Sequence, residues 1–321
     1  MARTLSTKDV ATDAVTPGTP TRRRRRSYVR PRWTPYFFIA PFFILFGIFF
    51  GLPTVRSLQM SFYTERGVDT SAEFTGLDNY ATLVRDPTFY KALVNTSYYA
   101  LGSILIIVPL ALSLALLLRT RGLLLREFFR LSFFLPNAIS GIVVAIVFRL
   151  VFDQEYGLLN NWLLAPLGLP KVAWLADPAF IMPSIILLGI WQFTGLNAIY
   201  FMVGLQNQDP GIHEAATVDG AGPWQRFRYI TLPLLKPTTV FVVTFAIIGS
   251  YQLFAQPVAL VGEGGGPNRA GLTLTMYLYE TAFTNLDLGY GAAIGYAITV
   301  IIVVLSVLQM WAQGFFRKES A

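Results

Sequence analysis

Cysteine is absent from all 321 residues, so neither a disulfide nor a thiolate metal site is available, while the redox compartment stays open. The single histidine, His213, argues against a histidine-built metal centre. Met60, Met182, Met202, Met276 and Met310 form no cluster along the sequence that would suggest a metal path. Charge is also scarce. Only 13% of residues are charged, against about 25% in an ordinary soluble domain, while 54% are apolar and 15% aromatic. A surface this poor in charge needs lipid. No nucleotide-binding motif occurs either. The Gly-rich run Glu263-Gly264-Gly265-Gly266-Pro267 is not followed by Gly-Lys-Ser or Gly-Lys-Thr at a helix start, so it reads as an irregular external turn and not as a phosphate cradle. ATP hydrolysis is therefore not expected on this chain.

What the sequence does have is long apolar runs. A helix rising about 1.5 Å per residue needs roughly 20 apolar residues to cross a hydrocarbon core about 30 Å thick. Six stretches meet or approach that length: 36–55, 95–118, 131–148, 179–208, 238–262 and 288–316. None contains Asp or Glu. Pro41, Pro109, Pro136, Gly141, Gly189, Gly249 and Gly295 fall inside them, which fits kinked helices packed on one another, since neighbours can satisfy the backbone groups a kink frees. The stretches far exceed the 9–11 alternating residues of a barrel strand. The fold class is all-α integral membrane, with six transmembrane helices.

Basic residues set the orientation. Nine precede the first stretch: Arg3, Lys8, Arg22 to Arg26, Arg30 and Arg32. Arg119, Arg121, Arg126 and Arg130 follow the second, Arg226, Arg228 and Lys236 follow the fourth, and Arg317 and Lys318 follow the sixth. Only Arg66, Arg85, Lys91, Lys171 and Arg269 belong to the other face, with Arg56 and Arg149 at span ends where they can snorkel. The positive-inside tendency then places both termini in the cytoplasm. On this reading the Arg22 to Arg26 run is a topogenic anchor and not a nucleic-acid site. The apolar stretch behind it is too long for a cleaved signal peptide and is expected to be retained. Residues 1–33, rich in Thr, Pro and Arg, cannot bury a core and are expected to be a disordered tail. In the outer loop that follows the first stretch, Asp86 and Pro87 suit the cap and first position of a helix that runs into the second.

One cytoplasmic loop carries more information than the rest. It reads Asp209-Pro210-Gly211-Ile212-His213-Glu214-Ala215-Ala216-Thr217-Val218-Asp219-Gly220, and continues to Ile230-Thr231-Leu232-Pro233. Asp209 can cap a helix with Pro210 at its first position, and Gly220 can take the left-handed conformation that ends it. A second helix can start at Pro223 with Gly222 as its cap, and Pro233 allows a bend at the membrane. Ile212, Ala215, Ala216 and Asp219 fall near one side of the first helix, where small residues permit close approach by a partner. Glu214 can accept charge-assisted hydrogen bonds from that partner.

The spacing of Glu214-Ala215-Ala216, Gly220, Ile230 and Leu232-Pro233 resembles the EAA loop of the membrane subunits of ABC importers. Further stretches are similar to the carbohydrate-uptake permeases of the maltose and glycerol-3-phosphate type. They include Ala40-Pro41 onward to Phe62, Phe74-Thr75-Gly76-Leu77-Asp78-Asn79-Tyr80, Asn95-Thr96, Gly204-Leu205-Gln206 and Gly264-Gly265-Gly266-Pro267. The likeness spans residues 34–316, without the maltose member's extra leading spans or its large inserted outer domain.

That resemblance implies a type I ABC importer permease fold, with residues 34–91 as first helix and outer loop and 92–316 as a five-helix core carrying the coupling loop at 209–233. It implies a bacterial or archaeal cell membrane, a second homologous permease, two ABC ATPase subunits or domains holding ATP and Mg, and an extracytoplasmic solute-binding protein. Glu214 and Gly220 take contact and hinge roles, with Ala215, Ala216, Asp219, Ile230, Leu232 and Pro233 completing the loop. The chain itself is a transport subunit and not an enzyme. Uptake of a sugar or oligosaccharide by alternating access is the leading expectation, with a glycerol-phosphate compound as the alternative in the same machinery. An ion-coupled secondary carrier is disfavoured, because it calls for intramembrane carboxylates or inverted repeats. Polar groups within spans mark candidate solute contacts: Trp191, Gln192, Thr194 and Asn197 in the fourth, and Thr244, Ser250, Tyr251, Gln252 and Gln256 in the fifth. Each could instead serve interhelical bonding.

Overall fold

The computed structural model describes residues 33–64, 72–120 and 125–314. The basic tail, apart from Trp33, lies outside the described residues, as do Arg66, Arg121, Arg317 and Lys318. The chain divides into two units at Leu52 and Pro53. The first contains helix α1 (Thr34–Phe46) and a widened π turn, Gly47–Gly51. Phe42, Phe46 and Phe50 stack along it at centroid separations of 6.0 and 5.0 Å, and all three rings are exposed. Such a ladder of unburied aromatics suits a lipid-facing surface.

The second unit continues from the segment α2 (Leu52–Met60) through a two-residue antiparallel ribbon, β1 (Tyr63–Thr64) with β2 (Glu73–Phe74). A short helix α3 (Asp78–Arg85) leads to α4 (Pro87–Arg119). Asp86 caps α4 by accepting from the Thr88 N–H at 2.8 Å, with Pro87 at the first position, as the sequence suggests. The helix starts well before the apolar run because Lys91 interrupts the hydropathy but not the backbone.

The third apolar stretch is not one straight helix. It is two, α5 (Arg126–Ala138) and α6 (Gly141–Val151), meeting at 100°. Ile139 (φ −84°, ψ 141°) and Ser140 (φ −53°, ψ 132°) are extended, and β-branched Ile followed by Ser-Gly offers little helical preference to resist the break. The helical turns Leu159–Leu164 and Ala165–Leu167 lie in the loop before α7 (Pro178–Gln206), which Asp177 caps through the Ala179 N–H.

After α7 come the surface helices α8 (Pro210–Val218) and α9 (Pro223–Arg226), a π turn (Phe227–Thr231) and the short α10 (Leu232–Leu234). Helix α11 (Lys236–Tyr251) then turns off at 62°. The bend sits at Leu235, two residues beyond Pro233, where Pro237 cannot bond back to the Pro233 carbonyl. Three π turns, Gly47–Gly51, Leu159–Leu164 and Phe227–Thr231, end two residues before a proline (Pro53, Pro166 and Pro233). Widening the turn there moves a carbonyl away from the incoming ring.

The fifth stretch also differs from the expected continuous span to residue 262. Helix α11 stops at Tyr251, and a separate helix α12 (Ala255–Val261) follows. Pro257 accounts for this, since a continuous helix would drive its ring into the Leu253 carbonyl. The carbonyls freed by the break are taken up by hydroxyls. Thr273 donates to Leu253 O at 2.8 Å and Thr275 to Tyr251 O at 3.0 Å. Helix α13 (Leu274–Tyr279), a π turn (Glu280–Thr284) and α14 (Leu288–Ala312) complete the chain.

Four helical spans and two bent pairs thus meet the length and apolarity needed to cross a membrane among the described residues. Helices α4 and α7 form the central pair, and α5 crosses α7 so closely that a Cβ on Gly195 would lie 1.7 Å from the Phe133 carbonyl oxygen. Three buried clusters fill the unit: one among α4, α11, α13 and α14, one among α6, α7 and α12, and one among α4, α7 and α11.

Candidate coupling surface and transport cavity

The 209–233 loop has the shape its local chemistry dictates. Asp209 accepts from the Gly211 N–H at 2.9 Å and starts α8. At the other end Gly220 is left-handed (φ +81°), its N–H donates to Thr217 O at 3.1 Å, and the Ala221 N–H donates to Ala216 O at 2.9 Å. These are the two bonds of a Schellman stop. Gln225 Oε1 accepts from the Gly222 N–H at 2.8 Å and fixes the start of α9. The chain therefore makes a tight U-turn with a short helix on each arm.

Two side-chain links hold the arms together. Arg226 donates from Nη1 to Thr217 Oγ1 at 2.7 Å, bridging α9 to α8. Gln208, almost wholly buried, donates to Thr231 O at 3.2 Å and pairs its Oε1 with His213 Nε2 at 3.0 Å. The U-turn is thereby pinned to the segment that enters α11. Helix α8 itself buries no residue. Ile212, Glu214, Ala215, Val218 and Asp219 are exposed, whereas His213 and Ala216 are half-buried on the inward side. Among the described residues Glu214 has no hydrogen-bond or ion-pair partner. Ile230 and Leu232 are half-buried and Pro233 is exposed. A rigid platform thus presents an apolar rim around a bare carboxylate.

Within the bundle, a cavity of about 160 Å³ opens between α4, α7 and α11. Asn197 and Ser250 line it, together with Tyr99, Ser103, Tyr200 and Phe245. The other candidates are placed elsewhere. Gln256 donates to Gln192 Oε1 at 3.1 Å, while Gln192 reaches Ile139 O at 3.4 Å, so this pair serves the carbonyl freed at the α5–α6 break. The Tyr251 hydroxyl pairs with Ser97 at 2.8 Å, and Thr244 donates to Gln309 at 2.9 Å. Trp191 packs against Phe148 at 5.4 Å and, with Thr194, lines an open groove between α5 and α7. Gln252 is exposed at the end of α11.

Comparison with known proteins bears directly on this arrangement. Residues 107–319 match the family described as binding-protein-dependent transport system inner membrane component, a stretch that includes the U-turn and most of the cavity wall. The chain belongs to this family. It is 38% identical to the arabinooligosaccharides transport system permease protein AraP of Bacillus subtilis, covering 89% of this chain and 90% of that one. It is 37% identical to the lactose transport system permease protein LacF of Rhizobium radiobacter, over 86% and 93%. A chain in the crystal structure of a bacterial ABC transporter importing the acidic polysaccharide alginate superposes with a TM-score of 0.76 at 25% identity, covering 89% and 96%. The permease identity and the type I importer fold follow, as does membership in the inner-membrane component of such systems.

The stretches that carried the family likeness have visible structural work in this permease. Asn79 donates to Ser61 O and Tyr63 O at 2.9 and 3.0 Å, and Tyr80 donates to Ser61 Oγ at 2.9 Å. Asn95 donates to Arg269 O and Leu272 O at 2.9 and 3.1 Å, and Thr96 accepts from the Leu274 N–H at 3.0 Å. The Gly-rich turn before Arg269 is forced: a Cβ on Gly265 (φ +76°) would lie 2.5 Å from the Leu272 nitrogen. Asp86 accepts from the hydroxyls of Tyr277 and Tyr290. Burial pushes its carboxyl up, but those bonds and the N–H groups of Thr88 and Phe89 outweigh it and hold the carboxyl below the usual value.

Sequence reasoning missed Tyr99, Ser103 and Tyr200 in the cavity and Gln208, Thr217 and Arg226 in the U-turn. Tyr99, Ser103 and Ile107 fall four residues apart on one face of α4, so the spacing alone would have grouped them. The links from Gln208 and Arg226 join residues 23 and nine positions apart, and no local rule marks them.

Proposed function

We propose that this permease is one half of a carbohydrate importer in which ATP bound on a separate ATPase drives alternating access through helix α8. The observation that carries the reading is the exposed, pinned α8 with its unpartnered Glu214. A helix locked at both ends and tied through Gln208 to the entry of α11 transmits a push as rigid motion and does not absorb it. In this reading Glu214 and the rim of Ile212, Ala215 and Val218 contact the ATPase, and Gly220 holds the turn. ATP and Mg reside on that partner, two copies or domains of which serve the assembly.

The cavity supports a neutral solute. Among the described residues lining it there is no Lys, Arg or His, while Tyr, Asn and Ser hydroxyl and amide groups sit beside aromatic faces. A phosphate ester would call for a cation or a cluster of amide donors. The named relatives that transport arabinooligosaccharides and lactose favour the same class. The cavity is smaller than the roughly 300 Å³ at which ligand pockets begin. One chain thus offers a partial site, and a second homologous permease supplies the facing wall. The alginate transporter has also been solved with a pentasaccharide-bound periplasmic protein. An extracytoplasmic binding protein fits here as the source of solute, with both termini of the permease in the cytoplasm.

The test is uptake of a labelled oligosaccharide by host cells whose own copy is replaced by Glu214→Ala or Gly220→Pro. Uptake is expected to vanish while the amount of inserted permease stays near wild type. Normal uptake in both variants, or wild-type uptake that persists after ATP depletion, overturns the proposal.

A further inference from the structure

The loop between α6 and α7 is built inside out for a segment in water. Residues 157–170 contain no charged side chain, yet flanking positions on both sides carry them, and Lys171 pairs with Glu155 at 2.5 Å. The run has two polar side chains: Asn161 is exposed but its amide nitrogen is tied back to Glu155 O and Gly157 O at 2.8 and 3.1 Å, and the other points inward. Asn160 is fully buried: it donates to Gln154 O and Val172 O at 2.9 Å each, and accepts from the Val172 N–H and the Trp174 Nε1–H at 3.1 Å each. Large apolar side chains point outward instead. Trp162 is 79% exposed and Leu167 66%, with Leu158, Leu163 and Leu169 exposed beside them.

We propose that residues 158–169 form an interfacial anchor whose apolar face lies in the headgroup and upper acyl region of the bilayer. Three observations select lipid over a protein partner. The segment lies in the connection between the bent pair α5–α6 and the span α7, both apolar enough to cross a membrane, so its two ends are tethered at the membrane boundary. The outward surface of α6 is apolar as well, with Val143, Ile146, Val147 and Leu150 exposed along that helix. The composition, leucines around a tryptophan with charges confined to the flanks, matches what partitions at a membrane interface. Clamped by Asn160, the face is held in place, so that it fixes the depth and tilt of α6 and α7 in the bilayer.

The absence of cysteine makes the test direct. The full-length chain, carrying a single cysteine as Trp162→Cys, Leu167→Cys or Glu155→Cys, is spin-labelled and reconstituted in vesicles of phosphatidylethanolamine and phosphatidylglycerol. Collision with oxygen, which concentrates in lipid, is compared with collision with a water-soluble nickel chelate. The oxygen-to-nickel ratio is expected to be several-fold higher at positions 162 and 167 than at 155. A ratio at 162 and 167 equal to that at 155 places the face in water. Low access to both reagents at those positions places it against protein. Either result overturns the proposal. As a check that needs no label, brominated lipid is expected to quench tryptophan emission less in Trp162→Phe than in wild type, and equal quenching counts against lipid contact.

Discussion

Replacing Gly220 separates backbone strain from side-chain contact at the end of α8. A Cβ at this position meets nothing within 4 Å, so Gly220→Ala costs only the left-handed conformation at φ +81°, about 1–2 kcal/mol. The chain can escape that strain by unwinding the last turn, which gives up the bonds to Thr217 O and Ala216 O. Each such bond is worth about 0.5–1.5 kcal/mol net. Strain and bonds are thus nearly balanced in the alanine variant, and the frayed population rises by about 5–30-fold. Asn visits the left-handed region at lower cost than Ala, so Gly220→Asn falls between the two. Spin labels on cysteines at Val218 and Trp224, both exposed, report the distance across the U-turn by pulsed electron resonance. The distribution is expected to broaden from Gly to Asn to Ala. Equal widths in Gly and Ala, or a broader distribution in Asn than in Ala, refute the strain argument.

Asn160→Leu strips partners from two carbonyls and two N–H groups; at about 1–3 kcal/mol for each buried orphan, less whatever water recovers, local opening becomes at least about 100-fold more frequent. Hydrogen exchange in residues 153–177 reads this, and wild-type protection there contradicts it. Gln256→Leu leaves the buried Gln192 Oε1 without its donor, so the double variant with Gln192→Leu is expected to be more stable than the sum of the singles predicts, by about 0.6 kcal/mol or more. Strict additivity in a detergent unfolding cycle counts against the pair. Asp86 has a lowered carboxyl value, so its stabilisation is present in full above the ordinary carboxylate value of 3.8 and is lost as pH falls through the lowered one. Thermal midpoints of wild type and Asp86→Asn should therefore differ at neutral pH and converge in strong acid. A gap that is constant with pH refutes the linkage.

Much of the shape of the 209–233 loop was legible because its rules are local. Asp209, Pro210, Gly220 and Gly222 each act on backbone within a few residues, and their caps and turn appear where those rules place them. The breaks in the third and fifth spans were not legible from hydropathy, which counts apolar side chains and is blind to where carbonyls lose their donors. Pro257 did carry the signal for the break after Tyr251, but its apolar surroundings hid it. The polar residues of α7 and α11 show the same limit. Asn197 and Ser250 reach a cavity, while Gln192, Tyr251 and Thr244 pair with groups on distant helices. Identical chemistry in a span serves either purpose, and only the packing separates them.

The claim that helix α8 docks the energy-supplying subunit is tested most directly by a photo-crosslinking residue at Val218, which is 87% exposed, in membranes of the native host. A single crosslinked species containing an ATP-binding subunit, weakened by Glu214→Ala, is the predicted result. A crosslink pattern without an ATPase, from a permease that still supports uptake, would contradict the account.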